Sequence, residues 1–495
     1  MLIDFNIKEK IKEFKKGSPS SDSGRFLSQN NYFDLGIAFW LLNPDDEEYS
    51  LEFLSRQYLH KDKATVKELY NYAVKKLKEY KLEKLFYYME MPLLVVLADM
   101  ELRGIKLSVK SLKDLDNKLE KKLSGLAKNI YKEAGEVFNI NSPKQLGKIF
   151  FEKLNIDIKG VKKTRGGAIS TDIETLLTIR DRHPIVKYIL EYRELFKLQS
   201  TYVQPLQELA DKNNRVHTTY IQTGTATGRL SSQNPNLQNI PAEGEWAKEL
   251  RKSFIAEKGY LIAAFDYSQM ELRILASLSG DPKMMEAFNN DQDIHKLTAA
   301  SVFNVPLEKV TPEMRRLAKT LNFGVVYGMG ANAFAKTSGL SFSEAKKFIE
   351  EYFNDFKQIK EWQEGVKAQA RTLGFVTNLS GRRRWLLQAT SMFRGEAAEA
   401  ERAAINMPVQ GLLADIIKIA MVRLREELNN RGWWEKDVRM LLTIHDELLF
   451  EIKENIIKEA NKIIAKIMEE AYELEVSIKV TTKIGKSWGE LEIYK

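Results

Sequence analysis

Apolar and polar positions divide the chain into segments with different predicted structure. From about residue 90 to residue 200, apolar positions recur at helical spacing between Lys- and Glu-rich faces, with breaks at 141–146 and at the basic stretch 161–167. The later segment 219–241 is rich in Thr, Ser, Asn, Gln and Gly, which predicts loops and short strands. This basic helical lobe has two interpretations: it binds a phosphate backbone, or its charged faces are simply a solvated surface.

Two acidic residues stand at the ends of otherwise apolar, strand-like runs. Residues 260–275 begin as a buried strand and turn helical after Asp266, and residues 439–452 form two apolar halves around Asp446. An apolar hairpin of this kind presents a carboxylate at its turn. Further helices are predicted over 313–330, 341–371 and 396–428, the last with an interruption at NMPVQG.

Composition narrows the class of protein. The 495 residues are too many for one compact core, and 44% apolar with 29% charged residues is an ordinary globular balance. The chain has no Cys, and its five His residues lack zinc-ligand spacing, so any catalytic metal is expected to have oxygen ligands. A net charge of +8 indicates either solubility or an anionic partner. Without a signal-peptide core or an uncharged apolar run of roughly 18 residues, a cytoplasmic protein with no membrane segment is expected.

The acidic residues Asp266 and Asp446 admit two interpretations. Carboxylates on neighbouring strand ends can share a pair of magnesium ions with substrate phosphates, as phosphoryl-transfer enzymes require. Alternatively, each Asp caps the element that follows it. Spacing alone favours the capping interpretation.

A second candidate site is the helix that contains MRRLAKTLNFGVVYG. Because steps of four residues drift by only about 40° in an α-helix, Arg315, Lys319, Phe323 and Tyr327 share one face. Two cations followed by two aromatic rings could bind a nucleoside triphosphate, with the cations on the phosphates and Phe323 against the base. The alternative is an amphipathic core helix with a basic rim, which explains a lysine on the aromatic face poorly.

Four long motifs carry a resemblance to a known family. In chain order they are TATGRLSSQNPNLQNIP, DYSQMELRILA, RRLAKTLNFGVVYGM and HDELLFE. From about residue 88 to its C-terminus, the chain resembles the large, Klenow-type fragment of bacterial family A DNA polymerases. The resemblance implies an α+β right-hand fold, with an antiparallel palm sheet between helical thumb and fingers, and a small N-terminal α/β remnant of an exonuclease domain. The implied division is 1–88 (exonuclease-like remnant), 89–108 (start of the palm), 109–200 (thumb), 201–290 (palm), 291–398 (fingers) and 399–495 (palm).

The resemblance also implies roles in the catalytic centre. Asp266 and Asp446 would bind two magnesium ions, for which manganese could substitute, together with the backbone carbonyl of Tyr267, and Glu447 beside them would be a further catalytic residue. Lys319 would protonate the departing pyrophosphate. Phe at position 323 is expected to disfavour dideoxynucleotides, which a Tyr there would accept. The implied nucleotide-binding residues are Arg315, Lys319, Phe323, Tyr327, Gln269, His295 and Glu271, the last as a steric gate against the ribose 2′-OH.

Further residues are implied in binding primer–template DNA, with dNTPs as the other partner of a monomeric enzyme. Contacts in the minor groove, where hydrogen-bond acceptors are nearly the same for every base pair, would check pair geometry without reading sequence. Basic residues at the thumb tip would contact backbone phosphates. The implied DNA-binding residues are Arg229, Asn236, Gln238, Asn239, Arg402, Asn406, Gln410, His445, and, at the thumb tip, Lys162, Lys163 and Arg165.

The N-terminal segment departs from the family pattern. Where the family carries NxxxD in its exonuclease domain, this chain keeps Asn6 but has Lys10 at the acidic position, and the later Tyr-x-x-x-Asp motif fails because Tyr70 is followed at 74 by Val. No DxE motif precedes them. Without these carboxylates a two-metal nuclease site could not assemble. We therefore expect neither proofreading nor, from the chain as given, 5′ nuclease activity.

The sequence thus predicts a DNA-directed DNA polymerase that extends a primer 3′-OH with dNTPs by two-metal phosphoryl transfer. Copying of RNA templates as well stays open. A relative that makes RNA, similar to the single-subunit phage RNA polymerases, is an alternative that Glu271 disfavours. A non-catalytic DNA-binding module is a further alternative, disfavoured by the presence of Asp266, Lys319 and Asp446.

Overall fold

The computed structural model of the chain describes residues 1–17, 31–157, 159, 161 and 169–494. The described residues of its N-terminal part, 1–17 and 31–79, form two short parallel strands and four helices around an apolar cluster that includes Phe33, Trp40 and Phe86. Local sequence explains the helix starts: the Asp34 side chain accepts from Ile37 N–H at 3.0 Å, and Thr65 forms a reciprocal cap with Glu68. The elements are β1 (Leu2–Asp4), α1 (Ile7–Lys15), β2 (Tyr32–Asp34), α2 (Leu35–Leu42), α3 (Leu51–Leu59) and α4 (Val66–Glu79).

A helical region follows. Helical segments Glu83–Leu85 and Phe86–Glu90 lead into a largely buried helix. The long helix that follows starts at the Ser108 cap and ends at Gly135, whose φ of 71° favours glycine. The elements are α5 (Met91–Arg103), β3 (Ile105–Lys106), α6 (Val109–Ala134), α7 (Pro143–Gly147), the π-helical segment Lys148–Lys153, α8 (Ile173–Thr178), α9 (Pro184–Leu198), the π-helical segment Gln199–Val203 and α10 (Gln204–Leu209).

The centre of the molecule is a five-stranded antiparallel sheet. Alternate residues of its strands face two different apolar clusters, for example Ala263 and Phe265 on one side and Ile262 and Ala264 on the other. The strand order is β10-β11-β7-β12-β13, so β10 is an edge strand. The strands from β4 onward are β4 (Arg215–Val216), β5 (Thr219–Ile221), β6 (Ser231–Gln233), β7 (Tyr260–Tyr267), β8 (Phe375–Thr377), β9 (Arg383–Trp385), β10 (Val438–Ile444), β11 (Glu447–Lys453), β12 (Val480–Gly485) and β13 (Glu492–Ile493).

The remaining helices pack on this sheet or extend from it. Several share the large apolar cluster that covers one face of the sheet, which ties them to the strands. Ser341 and Glu344 cap one of them reciprocally. The helices are α11 (Glu245–Lys252), α12 (Met270–Ser279), α13 (Pro282–Asn289), α14 (Ile294–Val302), α15 (Pro312–Val326), α16 (Ala331–Ser338), α17 (Phe342–Asp355), α18 (Lys357–Leu373), α19 (Arg394–Asn430) and α20 (Ile457–Glu469).

The longest helix corrects one sequence-based expectation. An interruption was expected at NMPVQG, but α19 runs without a break from Arg394 to Asn430 with Pro408 inside it. The proline removes one helical hydrogen bond, yet the residues around it are buried on several sides, and this packing outweighs the local cost. Among the described residues α19 is also the one helix long and apolar enough to cross a membrane, but 78% of its apolar window is buried in the protein, as in a core helix.

The predicted α+β class and the antiparallel central sheet are confirmed by this topology. The parallel pair β1–β2 with its helices agrees with the small α/β unit expected at the N-terminus. The six-part division of the chain stays a prediction.

Candidate active site

Two aspartates come together at one end of the central sheet. The hairpin β10–β11 closes at the pair Ile444–Glu447, which leaves His445 and Asp446 as its two-residue turn, and His445 takes the left-handed conformation such turns need, with φ of 53°. Asp266, one residue before the end of β7, is paired with Glu447. The Tyr267 N–H donates to the Asp446 carbonyl at 3.2 Å, which places the two aspartates side by side.

These carboxylates are unfavourable as a pair of free anions. Burial, followed by the negative charges of Asp446 and Glu447, raises the pKa of Asp266 to about 7, although Lys483 opposes this. Burial also raises the pKa of Asp446 and of Glu447. A bound cation would relieve this repulsion, so the donor set fits a hard metal ion with oxygen ligands.

Protein side chains alone do not complete a metal site here. Among the described residues, no group of three or more His, Cys, Asp or Glu side chains is arranged to hold a metal ion. Magnesium commonly binds through one or two carboxylates plus substrate phosphates, with water filling other positions. The two aspartates therefore fit an ion that is shared with a phosphorylated substrate.

A cavity of about 610 Å³ opens beside the aspartates. Most of its lining was predicted from the sequence, and three lining residues were not: Ser268, Met270 and Leu413. Ser268 and Met270 sit inside the motif DYSQMELR and could have been inferred from it, whereas Leu413 comes from α19 and carries no local signal. The predicted residues in the lining are Arg229, Asp266, Tyr267, Gln269, Glu271, His295, Arg315, Lys319, Phe323, Tyr327, His445 and Asp446.

The helix α15 supplies one wall of this cavity. It starts at Thr311, whose hydroxyl accepts from Met314 N–H at 3.2 Å, with Pro312 in its first turn. The four residues predicted to share a face all line the cavity, in the order cation, cation, ring, ring. Arg315 Nε donates to Asp293 Oδ2 at 2.7 Å, while Lys319 is exposed. The pairing of Arg315 with Asp293 was not predicted.

A buried carboxylate forms the floor of the cavity. The Tyr327 hydroxyl lies 3.0 Å from both Glu271 oxygens, and Arg229 Nη2 donates to Glu271 Oε1 at 2.8 Å. The side chain of Glu271 is only 12% exposed. The Gln410 side chain on α19 also hydrogen-bonds to the Tyr327 hydroxyl. Glu271 is therefore fixed in one position by partners from two other segments.

His295 is a neutral, buried side chain behind α15. Burial lowers its pKa to about 4, and the nearby Asp293 opposes this shift only in part. The Asn322 amide lies 3.0 Å from His295 Nδ1, and the ring centre of Phe323 lies 5.8 Å from that of His295. At neutral pH the imidazole thus positions Phe323 without adding charge.

The amide of Gln269 has an unmet acceptor beside the aspartates. Gln269 begins α12 in the left-handed conformation, with φ of 53°, and its Oε1 atom is buried without a hydrogen-bond partner in the described part of the chain. A substrate hydroxyl or amine at the cavity wall could satisfy it.

Of the residues predicted to bind primer and template, Gln238 contacts the strand that leads into the hairpin turn, and Arg402, Asn406 and Gln410 lie on α19. The Gln238 amide donates to the Thr443 carbonyl at 3.0 Å, and Asn236 accepts from Gln238 N–H at 3.1 Å. His445, Asn239 and Arg402 are exposed. Asn406 on α19 has a buried Oδ1 with no partner among the described residues.

Some predicted residues lie elsewhere. Glu447 is not part of the cavity lining, and its carboxylate instead lies near the charges of Arg251 and Lys483. In the N-terminal unit, Lys10 Nζ lies 3.0 Å from Asp4 Oδ2. Three residues of the predicted thumb tip lie outside the described residues: Lys162, Lys163 and Arg165.

Comparison with known proteins agrees with the class that this fold and site define. The sequence model of DNA polymerase family A matches residues 109–490, and the chain belongs to that family. It is 44% identical over 411 residues to "DNA polymerase I, thermostable" of Thermus filiformis, and the matched segment covers 83% of this chain and 49% of that relative. It is also 44% identical over 407 residues to DNA polymerase I of Bacillus subtilis strain 168, over 82% of this chain and 46% of that one. The chain spans about half the length of these curated relatives.

A solved structure agrees with the fold. The POL domain of Pol1 from M. smegmatis, in complex with DNA primer-template and dNTP, superposes with a TM-score of 0.87 at 35% identity, over 92% of this chain and 82% of that one. The predicted right-hand polymerase fold and the resemblance to family A are thereby confirmed. The loss of the exonuclease site and the individual residue roles stay predictions.

Proposed function

We propose that the chain is a DNA-directed DNA polymerase that adds dNTPs to the 3′-OH of a primer paired with a template. The observation that carries this proposal is the position of Asp266 and Asp446 across one cavity from the cationic and aromatic face of α15. Paired carboxylates suit the metal ions of phosphoryl transfer, and the opposite wall suits a triphosphate and a base. The complex of the M. smegmatis relative, described as containing primer-template and dNTP, supports the same ligands here.

Asp266 and Asp446, with the backbone carbonyl of Tyr267, would hold magnesium ions, and manganese would fit the same oxygen ligands. When bound, the ions supply the positive charge that activates the primer hydroxyl and stabilises the departing pyrophosphate. The raised pKa of Asp266, caused by burial and by neighbouring carboxylates, is the physical support for a cation at this position.

The chain's own residues would bind and orient the nucleotide. Arg315 and Lys319 would hold the triphosphate along α15, and the exposed Lys319 ammonium would deliver a proton to the leaving oxygen. Phe323, backed by neutral His295, would lie against the base. Glu271, fixed at the cavity floor, would exclude a ribose 2′-OH by clash.

Loss of proofreading is a further part of the proposal. The motif positions that would need carboxylates carry Lys10 and Val74, and Lys10 is engaged with Asp4. A nuclease of the two-metal kind requires those acids. We propose that the N-terminal unit does not hydrolyse DNA.

Primer extension with separate nucleotide sets tests the polymerase assignment. A labelled primer on a DNA template should be extended with four dNTPs and magnesium, each added base complementary to the template, and hardly at all with four rNTPs. Efficient extension with rNTPs would favour the RNA-making alternative, and no extension with either set would favour a DNA-binding module. Replacing the DNA template by RNA in the same assay decides whether RNA is also copied.

A further inference from the structure

We infer that the N-terminal unit, residues 1–17 and 31–88, acts as a brace that positions the polymerase site. This inference rests on the proposed polymerase function. It assigns the unit a role that needs no nuclease chemistry. Two separate chains of hydrogen bonds lead from this unit to the segments that carry Arg229 and Asp446.

The first chain starts at Trp40 on α2. Its indole N–H donates to the Thr225 carbonyl at 3.1 Å, and the Thr225 hydroxyl donates to the Arg229 carbonyl at 2.9 Å. Arg229 in turn binds Glu271 at 2.8 Å, at the floor of the nucleotide cavity. A side chain of the N-terminal unit therefore fixes the backbone of the loop whose arginine orients the floor carboxylate.

Trp40 is itself held rigidly. It is fully buried, and its ring centre lies 4.8 Å from the guanidinium of Arg382 and 4.9 Å from the ammonium of Lys418. Both cations bind the buried carboxylate of Glu90. The same Arg382 packs tightly under the loop, since a Cβ at Gly228 would lie 2.7 Å from its Nε. The loop that precedes Arg229 has little room to move.

The second chain starts at α1. Lys8 and Lys12 bind the two oxygens of the buried Glu101 at 2.5 and 2.7 Å. Glu101 accepts from the Tyr220 N–H at 2.8 Å, and the Tyr220 hydroxyl accepts from the Thr443 N–H at 3.2 Å. The N-terminal helix thus fixes the position of a tyrosine whose hydroxyl reaches the catalytic hairpin.

The position of Thr443 explains why this contact matters. It precedes the turn His445–Asp446 by two residues, on the edge strand β10. It pairs with Leu448 next to the closing pair Ile444–Glu447, so its N–H points away from β11 and has no strand partner among the described residues. Tyr220 supplies that partner and holds the end of the strand that presents Asp446.

Three conservative variants test the brace. Trp40→Phe removes the indole donor, Thr225→Val removes the link to Arg229, and Tyr220→Phe leaves the Thr443 N–H without its partner. The measurements are the single-turnover extension rate at saturating dNTP, the apparent KM for dNTP, primer–template affinity, and the thermal midpoint of the full chain. Thr225→Val leaves the buried core untouched and keeps the test valid if Trp40→Phe folds poorly.

Two matched variants serve as controls. Trp385→Phe removes an equivalent indole bond, to the Leu42 carbonyl at 2.8 Å, that crosses the same boundary without leading to the site. Tyr260→Phe removes a hydroxyl bond to the Lys436 carbonyl at 2.7 Å, at the opposite end of β7. Neither residue is part of the cavity lining.

The brace predicts that each of the three variants loses roughly tenfold in rate per folded molecule, with primer–template affinity within about twofold of wild type and both controls near the wild-type rate. Wild-type rates in all three variants, a loss that follows only the unfolded fraction, or equal losses in the controls would overturn it. Failure of the wild-type chain to extend primers would instead overturn the proposed function, so the two failures are distinguishable.

Discussion

At the scale of single residues, the floor of the nucleotide cavity is the most specific feature. Glu271 is held by Tyr327 and Arg229 and is largely buried, so its carboxylate is fixed in one position. In the proposed function, a carboxylate fixed in this way would reject a ribose by occupying the space of the 2′-OH.

We therefore predict that Glu271→Ala raises rNTP incorporation, relative to dNTP incorporation, by at least about tenfold, because space for the 2′-OH opens. Glu271→Gln, which keeps the volume and loses the charge, should stay close to wild type in this ratio. Single-nucleotide extension with dATP and ATP opposite a template thymine measures the ratio. An unchanged ratio in Glu271→Ala would contradict the role of Glu271 as the gate.

The sequence predicted several site residues but not the ion pairs that hold them. Asp266 and Asp446 could be singled out because each ends an apolar run, and the face of α15 followed from spacing by four. The ion pair between Arg229 and Glu271 joins residues 42 positions apart, and Arg315 and Asp293 are separated by 22. Such partners depend on tertiary packing, which local periodicity does not encode.

At the scale of elements, a buried charge cluster joins α19 to the hairpin β8–β9 and to the start of α5. Burial alone would raise the pKa of Glu90, but the charges of Lys418 and Arg382 outweigh it and lower that pKa. Arg382 also binds Asp415 at 2.7 Å. With a folded-state pKa below the ordinary 4.5, Glu90 contributes stability above about pH 4.5 that is lost as the pH falls below it.

Removing one partner of this cluster should be costly. We predict that Arg382→Met destabilises the fold by about 3–5 kcal/mol at pH 7, because Glu90 and Asp415 stay buried and lose a shared cation. The thermal unfolding midpoint measures the loss. The control Arg431→Met removes one side of the exposed ion pair with Glu427 at the C-terminal end of α19, and it should leave the unfolding midpoint nearly unchanged. Equal midpoints for wild type and Arg382→Met would contradict this account of the cluster.

Element boundaries show where local rules fail. The strands and the turn around Asp446 were predicted nearly as they are, because apolar runs bounded by polar residues define them. The break expected in α19 was wrong because Pro408 is surrounded by packing that keeps the helix continuous. The helix-breaking tendency of proline is a local signal, and here it is outweighed by burial that exists only once the chain has folded.

At the scale of the whole molecule, the N-terminal unit carries Lys10 and Val74 at the two positions where the proposed exonuclease-like pattern would need acids. We predict that a labelled primer with a mismatched 3′ end stays at full length with magnesium and no dNTPs, since the carboxylates for two-metal hydrolysis are missing. A proofreading polymerase assayed in parallel gives the positive control. Shortening of the primer by this protein, unchanged in the Asp446→Asn variant, would contradict the prediction.

The sequence could suggest that this unit lacks nuclease acids but not what it does for the rest of the chain. Its motif positions are visible as letters, whereas the bonds from Trp40 and from Lys8 to distant segments exist only after folding. The large-scale fold was predictable because four long motifs between residues 225 and 451 stand in the order of one family.

We propose that Asp266 and Asp446 together carry primer extension. Single-turnover extension of a primed template with dNTPs and magnesium tests this role most directly, in the variants Asp266→Asn and Asp446→Asn. The control is Asp437→Asn, which removes a carboxylate paired with Lys453 at the far end of the same hairpin. We predict that both site variants lose detectable extension while binding primer–template nearly as tightly as wild type, and that Asp437→Asn extends normally. Near-normal extension by either site variant would contradict the account.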